Sequence, residues 1–164
     1  MKILSAEIIS HFAKMVCAYQ RSLFRLWIVA PWIGSFDKKH DPLKRIIHIL
    51  SSTRADLTII TRPPKHTWHI NAVTRLIGLK NANVFTCQDL HTKLYLMECD
   101  GFRMAILGSP NLTPKANWEN KELAIEIRTT KQSYHDSEFV LIKNLINYAS
   151  SLRKDPNVNL KTHS

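Results

Sequence analysis

The feature that most constrains the fold is a continuous apolar run at residues 26–33, with the sequence LWIVAPWI. Apolar side chains at consecutive positions leave neither face of a strand for solvent, so the run predicts a strand covered on both sides. Pro31 has no backbone N–H to give to an interior sheet ladder, and the strand is therefore predicted to end near it. A sheet covered on both faces by helices favours an α/β fold.

Helical and strand-like periodicities alternate along the rest of the chain. Helices are predicted at 1–20, 42–50, 68–79 and 136–152, and further strands at 55–61, 83–87, 91–97, 103–107 and 121–127. Asp41 is a suitable N-cap for the second helix, with Pro42 at its first position. This order predicts a mixed β-sheet sandwiched between helices. With 164 residues and 45% hydrophobic content, we expect one domain at 1–153 and a polar, basic, frayed tail at 154–164.

The charge of the chain favours an anionic partner. The formal net charge is +10 and the isoelectric point is about 9.7. Nucleic acid, DNA or RNA, is the first interpretation and an anionic membrane surface the second. Charge alone does not decide between them, because many small proteins are basic.

Cysteine usage and the apolar pattern bear on location. Cys17, Cys87 and Cys99 are odd in number and lack CxxC spacing, which indicates reduced thiols in a reducing, cytoplasmic compartment. Glu7 and Lys14 interrupt what would be the apolar core of a signal peptide. No stretch approaches the ~20 apolar residues of a membrane-spanning helix, so no stable membrane insertion is expected.

Polar residues with a distinctive order collect at the ends of several predicted strands. His91-x-Lys93 comes first, then Gly108-Ser109-x-Asn111 directly after a strand, and then Glu122 eleven positions after Asn111. This order resembles the HxKxxxxD…GSxN…E signature of the phospholipase D superfamily, and most closely its single-motif, nuclease-type members. Glu98 stands where that signature has its supporting Asp.

The resemblance implies a phospholipase D-like fold with one catalytic half per chain, completed by a homodimer about a two-fold axis. It implies that His91 is a nucleophile forming a phosphohistidine, while His91 of the second copy protonates the leaving oxygen. Lys93 and Asn111 would hold the non-bridging phosphate oxygens, with Ser109 adding a hydrogen bond or only capping the turn.

The carboxylates have supporting roles in this scheme. Glu122 would accept a hydrogen bond from the histidine ring and fix its tautomer. Asn120 is an alternative for that position, and Glu126 a weaker one because it misses the spacing. Glu98 would support the strand and loop around the histidine.

Two segments are candidates for substrate contact. Arg62, Lys65 and Trp68 lie in a segment that mixes cations with an aromatic face able to stack a base. Lys115 and Trp118 follow the GSxN turn. The alternative is that the first segment is a solvated loop and that both tryptophans cover the core.

These features predict a metal-independent phosphodiesterase that hydrolyses nucleic acid, a DNA or RNA endonuclease needing no cofactor and no metal. One alternative is a phospholipase or other lipid phosphodiesterase. Another is a nucleic-acid-binding module with weak or lost catalysis, which the Glu98 departure motivates.

Overall fold

The structure is a computed structural model that describes residues 1–34, 41–130 and 132–154, together with the backbone of 158–161. Within these residues the elements are, in chain order, β1 (Lys2–Leu4), α1 (Ile8–Ala18), β2 (Leu23–Val29), α2 (Pro42–Ser52), β3 (Asp56–Thr61), α3 (Thr67–Ile77), β4 (Ala82–Cys87), β5 (Leu94–Cys99), β6 (Phe102–Gly108), α4 (Pro114–Trp118), β7 (Ala124–Thr129), α5 (Ser137–Leu152) and β8 (Val158–Lys161).

The strands in the described part of the chain form one eight-stranded sheet in the order β1-β7-β6-β5-β2-β3-β4-β8. β2, β3 and β4 run parallel to one another, and the other neighbouring pairs are antiparallel. The predicted mixed sheet between helices is confirmed.

Each face of the sheet has its own apolar core. Ile28 of β2 belongs to the larger core, which packs under α1, α2 and α3. Its neighbours Trp27 and Val29 belong to the smaller core, which packs under α5. Because fully burying one large apolar side chain contributes about 1.5–3 kcal/mol, alternate residues of this strand stabilise both layers. The run at 26–33 is therefore buried as predicted except at Trp32, which is half-buried, and Pro31 lies just beyond the end of β2.

The predicted N-cap of α2 is present in the structure. The Asp41 side chain accepts a hydrogen bond from the Lys44 backbone N–H at 2.9 Å, with Pro42 in the first turn of α2. This contact satisfies one of the backbone donors that a helix N-terminus leaves open.

The prediction of a single helix at 1–20 is wrong for its first residues. Lys2–Leu4 forms β1, which pairs antiparallel with β7 and places Leu4 opposite Ala124. Glu7 then adopts a left-handed conformation with φ 46°, and α1 begins at Ile8. Three residues are too few to show a strand period. The strand forms because its backbone pairs with the edge of β7.

Two more elements were not predicted. The Thr113 side chain caps α4, accepting from the Ala116 N–H at 3.3 Å, and Pro114 occupies the first turn. β8 pairs antiparallel with β4. The prediction of a frayed tail is therefore wrong for Val158–Lys161, whereas residues 155–157 and 162–164 lie outside the described residues. The division into a domain and a tail stays a prediction.

Strand ends collect the residues of the motif. β5 begins at Leu94 and β7 at Ala124, later than predicted, so His91 and Glu122 lie in the connections before these strands. β6 ends at Gly108, beside both connections, because it runs antiparallel to β5 and β7. The motif therefore gathers at one end of the sheet.

Candidate active site

Gly108 and Ser109 join β6 to its neighbours at this end of the sheet. The Gly108 N–H donates to the Lys93 carbonyl at 3.2 Å, which holds the residue next to the lysine. The Ser109 N–H donates to the Leu123 carbonyl at 2.9 Å, and Ser109 Oγ accepts from the Leu123 N–H at 3.0 Å. A Cβ at position 108 would lie 2.3 Å from the Leu123 carbonyl oxygen. Only glycine allows the two strands to approach this closely.

Both carboxylate oxygens of Glu122 accept hydrogen bonds from nearby polar side chains. Ser109 Oγ donates to one oxygen, and Asn120 Nδ2 donates to the other at 3.0 Å. Below them, the Tyr95 hydroxyl donates to the Pro110 carbonyl at 2.8 Å. Burial, and to a lesser extent the charge of Glu122, raises the pKa of Tyr95 well above its usual value, so the phenol remains a donor. Hydrogen bonds from Ser109 to Glu122 and from Tyr95 to Pro110 thus hold the turn at two points.

His91 is exposed and its ring contacts Arg62. Arg62 Nη2 lies 3.0 Å from His91 Nε2 and 3.4 Å from Nδ1, and Arg62 Nε donates to the Leu90 carbonyl at 2.8 Å. A guanidinium can only donate, so the ring nitrogen that it approaches acts as the acceptor. The predicted contact between His91 and Glu122 is not among the hydrogen bonds found in the described part of the chain, and the role of Glu122 stays a prediction.

Asn111 is tied to the segment that follows β2. Its Oδ1 accepts from the Trp32 N–H at 3.3 Å, which leaves the amide NH₂ as a donor. The Leu112 N–H donates to the Trp32 carbonyl at 3.2 Å, and the Gly34 N–H donates to the Leu112 carbonyl at 2.8 Å. These bonds hold the segment after β2 and the GSxN turn together as one unit.

A cleft of about 590 Å³ opens beside this unit, and we call it the aromatic cleft. Its lining includes Trp32, His66, Trp68, Asn111, Lys115 and Asn120. The predicted contacts Trp68 and Lys115 therefore lie together with Asn111. Lys65 is exposed outside the described lining, and Trp118 is half-buried and packs against the larger core, as its alternative interpretation had it.

Glu98 lies away from the motif. The sequence predicts a strand that ends at Met97 and a turn at 98–101, but Glu98 and Cys99 continue β5. Glu98 is buried and forms ion pairs with Arg25 at 3.2 Å and Arg103 at 3.7 Å. Four positions along a strand separate it from Leu94, which corresponds to roughly 13 Å. Its contacts are thus with arginines at the far end of β5, and its support of the histidine stays a prediction.

Glu126 forms ion pairs with side chains of α1 and β7. Its buried carboxylate pairs with Arg128 at 2.7 Å and with His11 at 2.5 Å. Burial acts to raise the pKa of Glu126, but the hydrogen bonds and charges of Arg128 and His11 outweigh it and lower the pKa below its usual value. Glu126, the weaker alternative as partner of His91, therefore binds Arg128 and His11.

Sequence reasoning missed two parts of the site. Trp32 was assigned only to the buried run, although an aromatic residue directly after the strand-ending Pro31 could have indicated a site wall. His66 lies in the same segment as Arg62 and Lys65, and no pattern in that segment singles it out as a site residue. Within the described residues, no cluster of three or more His, Cys, Asp or Glu could hold a metal ion, and no helix is long and apolar enough to cross a membrane. The three cysteines are free thiols.

No protein-family model matches the sequence, and no curated protein matches it. Several solved structures resemble the chain. NucT from Helicobacter pylori superposes with a TM-score of 0.65 at 13% identity, over 93% of this chain and 94% of that one. The polyphosphate kinase from Porphyromonas gingivalis gives a TM-score of 0.63 at 11% identity, over 99% of this chain and 24% of that one.

The phosphatidylserine synthase from Haemophilus influenzae Rd KW20 gives a TM-score of 0.58 at 14% identity, over 95% of this chain and 36% of that one. The chain thus spans about a quarter to a third of these two larger proteins and nearly all of NucT. The sheet, the helices on its two faces and these superpositions together show a phospholipase D-like fold.

Proposed function

We propose that this protein is a phosphodiesterase that hydrolyses DNA or RNA as an endonuclease. The observation that carries the proposal is the convergence of His91, Lys93, the GSxN turn and Glu122 at one end of the sheet. Sheet register and the backbone bonds of Gly108 and Ser109 produce this convergence. The basic character of the chain suits a polyanionic substrate.

The reaction proceeds in two displacements. In the first, a His91 ring nitrogen attacks phosphorus and a P–N bond forms, while the bond to the leaving oxygen breaks and that oxygen takes a proton from the His91 imidazolium of a second copy. In the second, water gives a proton back to that imidazole and attacks phosphorus, and the P–N bond breaks to release the first His91. Lys93 supplies a positive charge and the Asn111 amide donates a hydrogen bond to the non-bridging oxygens.

Arg62 connects substrate binding to the first step. A phosphate oxygen is a stronger acceptor for a guanidinium than a ring nitrogen is, because the hydrogen bond is then charge-assisted. Entry of the substrate would therefore draw Arg62 from His91 towards the phosphate. The ring nitrogen would then be free for the attack.

A second copy of the chain completes the site. Ile3, Ile125 and Leu107 stand opposite one another across β1, β7 and β6, and Leu123 lies two residues before Ile125 in the chain. These four side chains are exposed by 38% to 71%. The row adjoins Gly108 and Glu122, so a copy covering it would approach the motif. The resemblance to single-motif proteins supplies the reason for a copy of the same chain as the occupant.

Mixed dimers of wild-type and His91→Ala chains provide the test of shared sites. A mixed site lacks either nucleophile or acid, and general acid catalysis typically contributes about 10²–10⁴-fold. Nuclease activity at fixed total protein should therefore fall with the square of the wild-type fraction. Light scattering should give the molar mass of a monomer for the Ile125→Asp variant, and this variant should lose activity. A linear fall in the mixing experiment, or an active monomer, would refute the shared site.

The reaction is proposed to need no metal ion, because Lys93 and Asn111 provide the positive charge and the donor at the phosphate. Cleavage of an oligonucleotide should continue in excess EDTA and should be lost in His91→Ala. Loss of activity in EDTA that magnesium or zinc restores would contradict this mechanism.

A further inference from the structure

Trp68 presents an exposed aromatic surface beside the candidate site. Its side chain is 44% exposed, although an indole is among the costliest side chains to leave in water. Its ring stacks parallel to His66 with centroids 5.7 Å apart, and Trp32 lies 6.1 Å away at a tilt of 53°. The buried ring of His69 supports it from a further side at 5.6 Å. Neighbouring rings thus hold Trp68 in place, which lowers the ordering cost of binding another ring.

The aromatic cleft is continuous with the residues proposed for catalysis. Asn111 lines it and belongs to the GSxN turn, and Asn120 lines it while donating to Glu122. Arg62 lies over the Trp32 ring at 5.5 Å and contacts His91 at 3.0 Å. A flat group in the cleft would therefore belong to the nucleotide whose phosphate faces the histidine.

A base can occupy this cleft only when it is outside a duplex. The volume of about 590 Å³ is in the range of sites for single small molecules, ~300–1,000 Å³. A base in a duplex has both faces covered by its neighbours and its edge paired, so it must first be extruded at a free-energy cost. Unpaired strands avoid most of that cost, and each base stacked on an aromatic side chain adds affinity with little dependence on sequence.

We propose that the aromatic cleft binds one unpaired nucleobase against Trp68 and thereby makes single-stranded nucleic acid the substrate class. This inference rests on the proposed function, whose phosphate site lies next to the cleft. Lys115, which also lines the cleft, suits a phosphate of the same strand. Every base has an aromatic face, so cleavage should depend on strandedness more than on sequence.

The experiment compares an intact single-stranded oligonucleotide with one that carries an abasic residue next to the cleaved phosphate, using the full chain. For the wild type we expect kcat/KM to be about 5–150-fold higher on the intact strand, which corresponds to the ~1–3 kcal/mol of one base–aromatic stack. That ratio should approach one in Trp68→Ala and should persist in Trp68→Phe, which keeps a ring. Ile70→Ala is the matched control, because Ile70 is a similarly exposed residue of α3 outside the described lining of the cleft.

A duplex of the same sequence should be cut more slowly than the single strand by the wild type. Equal rates on single strand and duplex, or an unchanged intact-to-abasic ratio in Trp68→Ala, would overturn the inference while leaving the nuclease function standing. Failure to cut any oligonucleotide, with His91→Ala indistinguishable from the wild type, would instead overturn the proposed function. Circular dichroism of Trp68→Ala and Trp68→Phe separates a loss of stacking from a loss of folding.

Discussion

Replacing Gly108 by alanine should damage the fold and the candidate site together. The new Cβ would lie 2.3 Å from the Leu123 carbonyl oxygen and 2.5 Å from the Ala124 Cα. Carbon–oxygen contacts normally begin at about 3.3 Å, and neither of these atoms belongs to a side chain that can turn away. Strands β6 and β7 would therefore have to separate by about 1 Å at the turn.

The cost has two parts. Forcing one methyl group into a packed site typically costs ~1–3 kcal/mol. Separation would also weaken two of the hydrogen bonds between Ser109 and Leu123, those of the two backbone N–H groups, each contributing ~0.5–1.5 kcal/mol. We expect the free energy of unfolding to fall by about 2–6 kcal/mol. Because the same movement displaces Ser109 from Glu122, kcat should fall by roughly 10²-fold even in the folded fraction.

Urea unfolding followed by circular dichroism measures the first effect, and oligonucleotide cleavage under folding conditions measures the second. Gly78→Ala is the matched control, because a Cβ there has its nearest contact at an ordinary 3.5 Å. It should change the free energy of unfolding by no more than ~1 kcal/mol and leave kcat unchanged. Gly101→Ala should cost ~1 kcal/mol through its φ of 69°, far from the motif. A Gly108→Ala protein as stable and active as Gly78→Ala would refute the close-approach explanation.

Further substitutions test the buried ionisable side chains. Glu98→Gln should lower the free energy of unfolding by ~1–3 kcal/mol because its arginine partners lose a charged acceptor. It should nevertheless reduce kcat less than Glu122→Gln does. The reverse order in kcat would mean that the wrong carboxylate has been assigned to the histidine. Burial, assisted by His66, lowers the pKa of His69 from 6.5 to about 4, so the unfolded chain takes up a proton first as the pH falls. Stability should therefore be complete above pH 6.5 and should decline by about 3 kcal/mol towards pH 4, and urea titrations of His69→Gln should lack this decline. Glu126 has a lowered pKa, so its contribution is present above its ordinary value of 4.5 and is lost as the pH falls below it. Glu126→Gln should unfold ~1–3 kcal/mol more easily at pH 7 and show a shallower acid dependence in thermal melts, and an unchanged acid limb would contradict this assignment.

Local patterns were sufficient to predict the layers of the fold. The alternation of Trp27 and Ile28 between the two cores follows from a strand with apolar residues on both sides, which is readable from neighbouring positions. The N-cap at Asp41 and the Thr113-Pro114 pair are equally local signals, although only the first was used. β1 and β8 could not be predicted in this way, because three or four residues show no period and pairing with distant strands creates them.

The candidate site was also predictable where it depends on local spacing and unpredictable where it depends on distant strands. The spacing of the motif placed Ser109 and Glu122 at neighbouring strand ends, and their hydrogen bond follows once β6 and β7 pair. The contact between Arg62 and His91 joins residues far apart in the sequence and depends on β3 and β5 both flanking β2. Its partner choice depends on side-chain rotamers, which no residue pattern encodes.

The two outermost strands of the sheet have a consequence for behaviour at high concentration. β1 has three residues and β8 has four, and they form the two edges of the described sheet. The N–H and C=O groups of an exposed edge can recruit a strand of another molecule and start fibril growth, and a short strand offers few of them. Chain-to-chain addition along the backbone is thus disfavoured at both edges. Contacts between copies are left to side chains on the face of the sheet, where Leu107 and Ile125 are exposed.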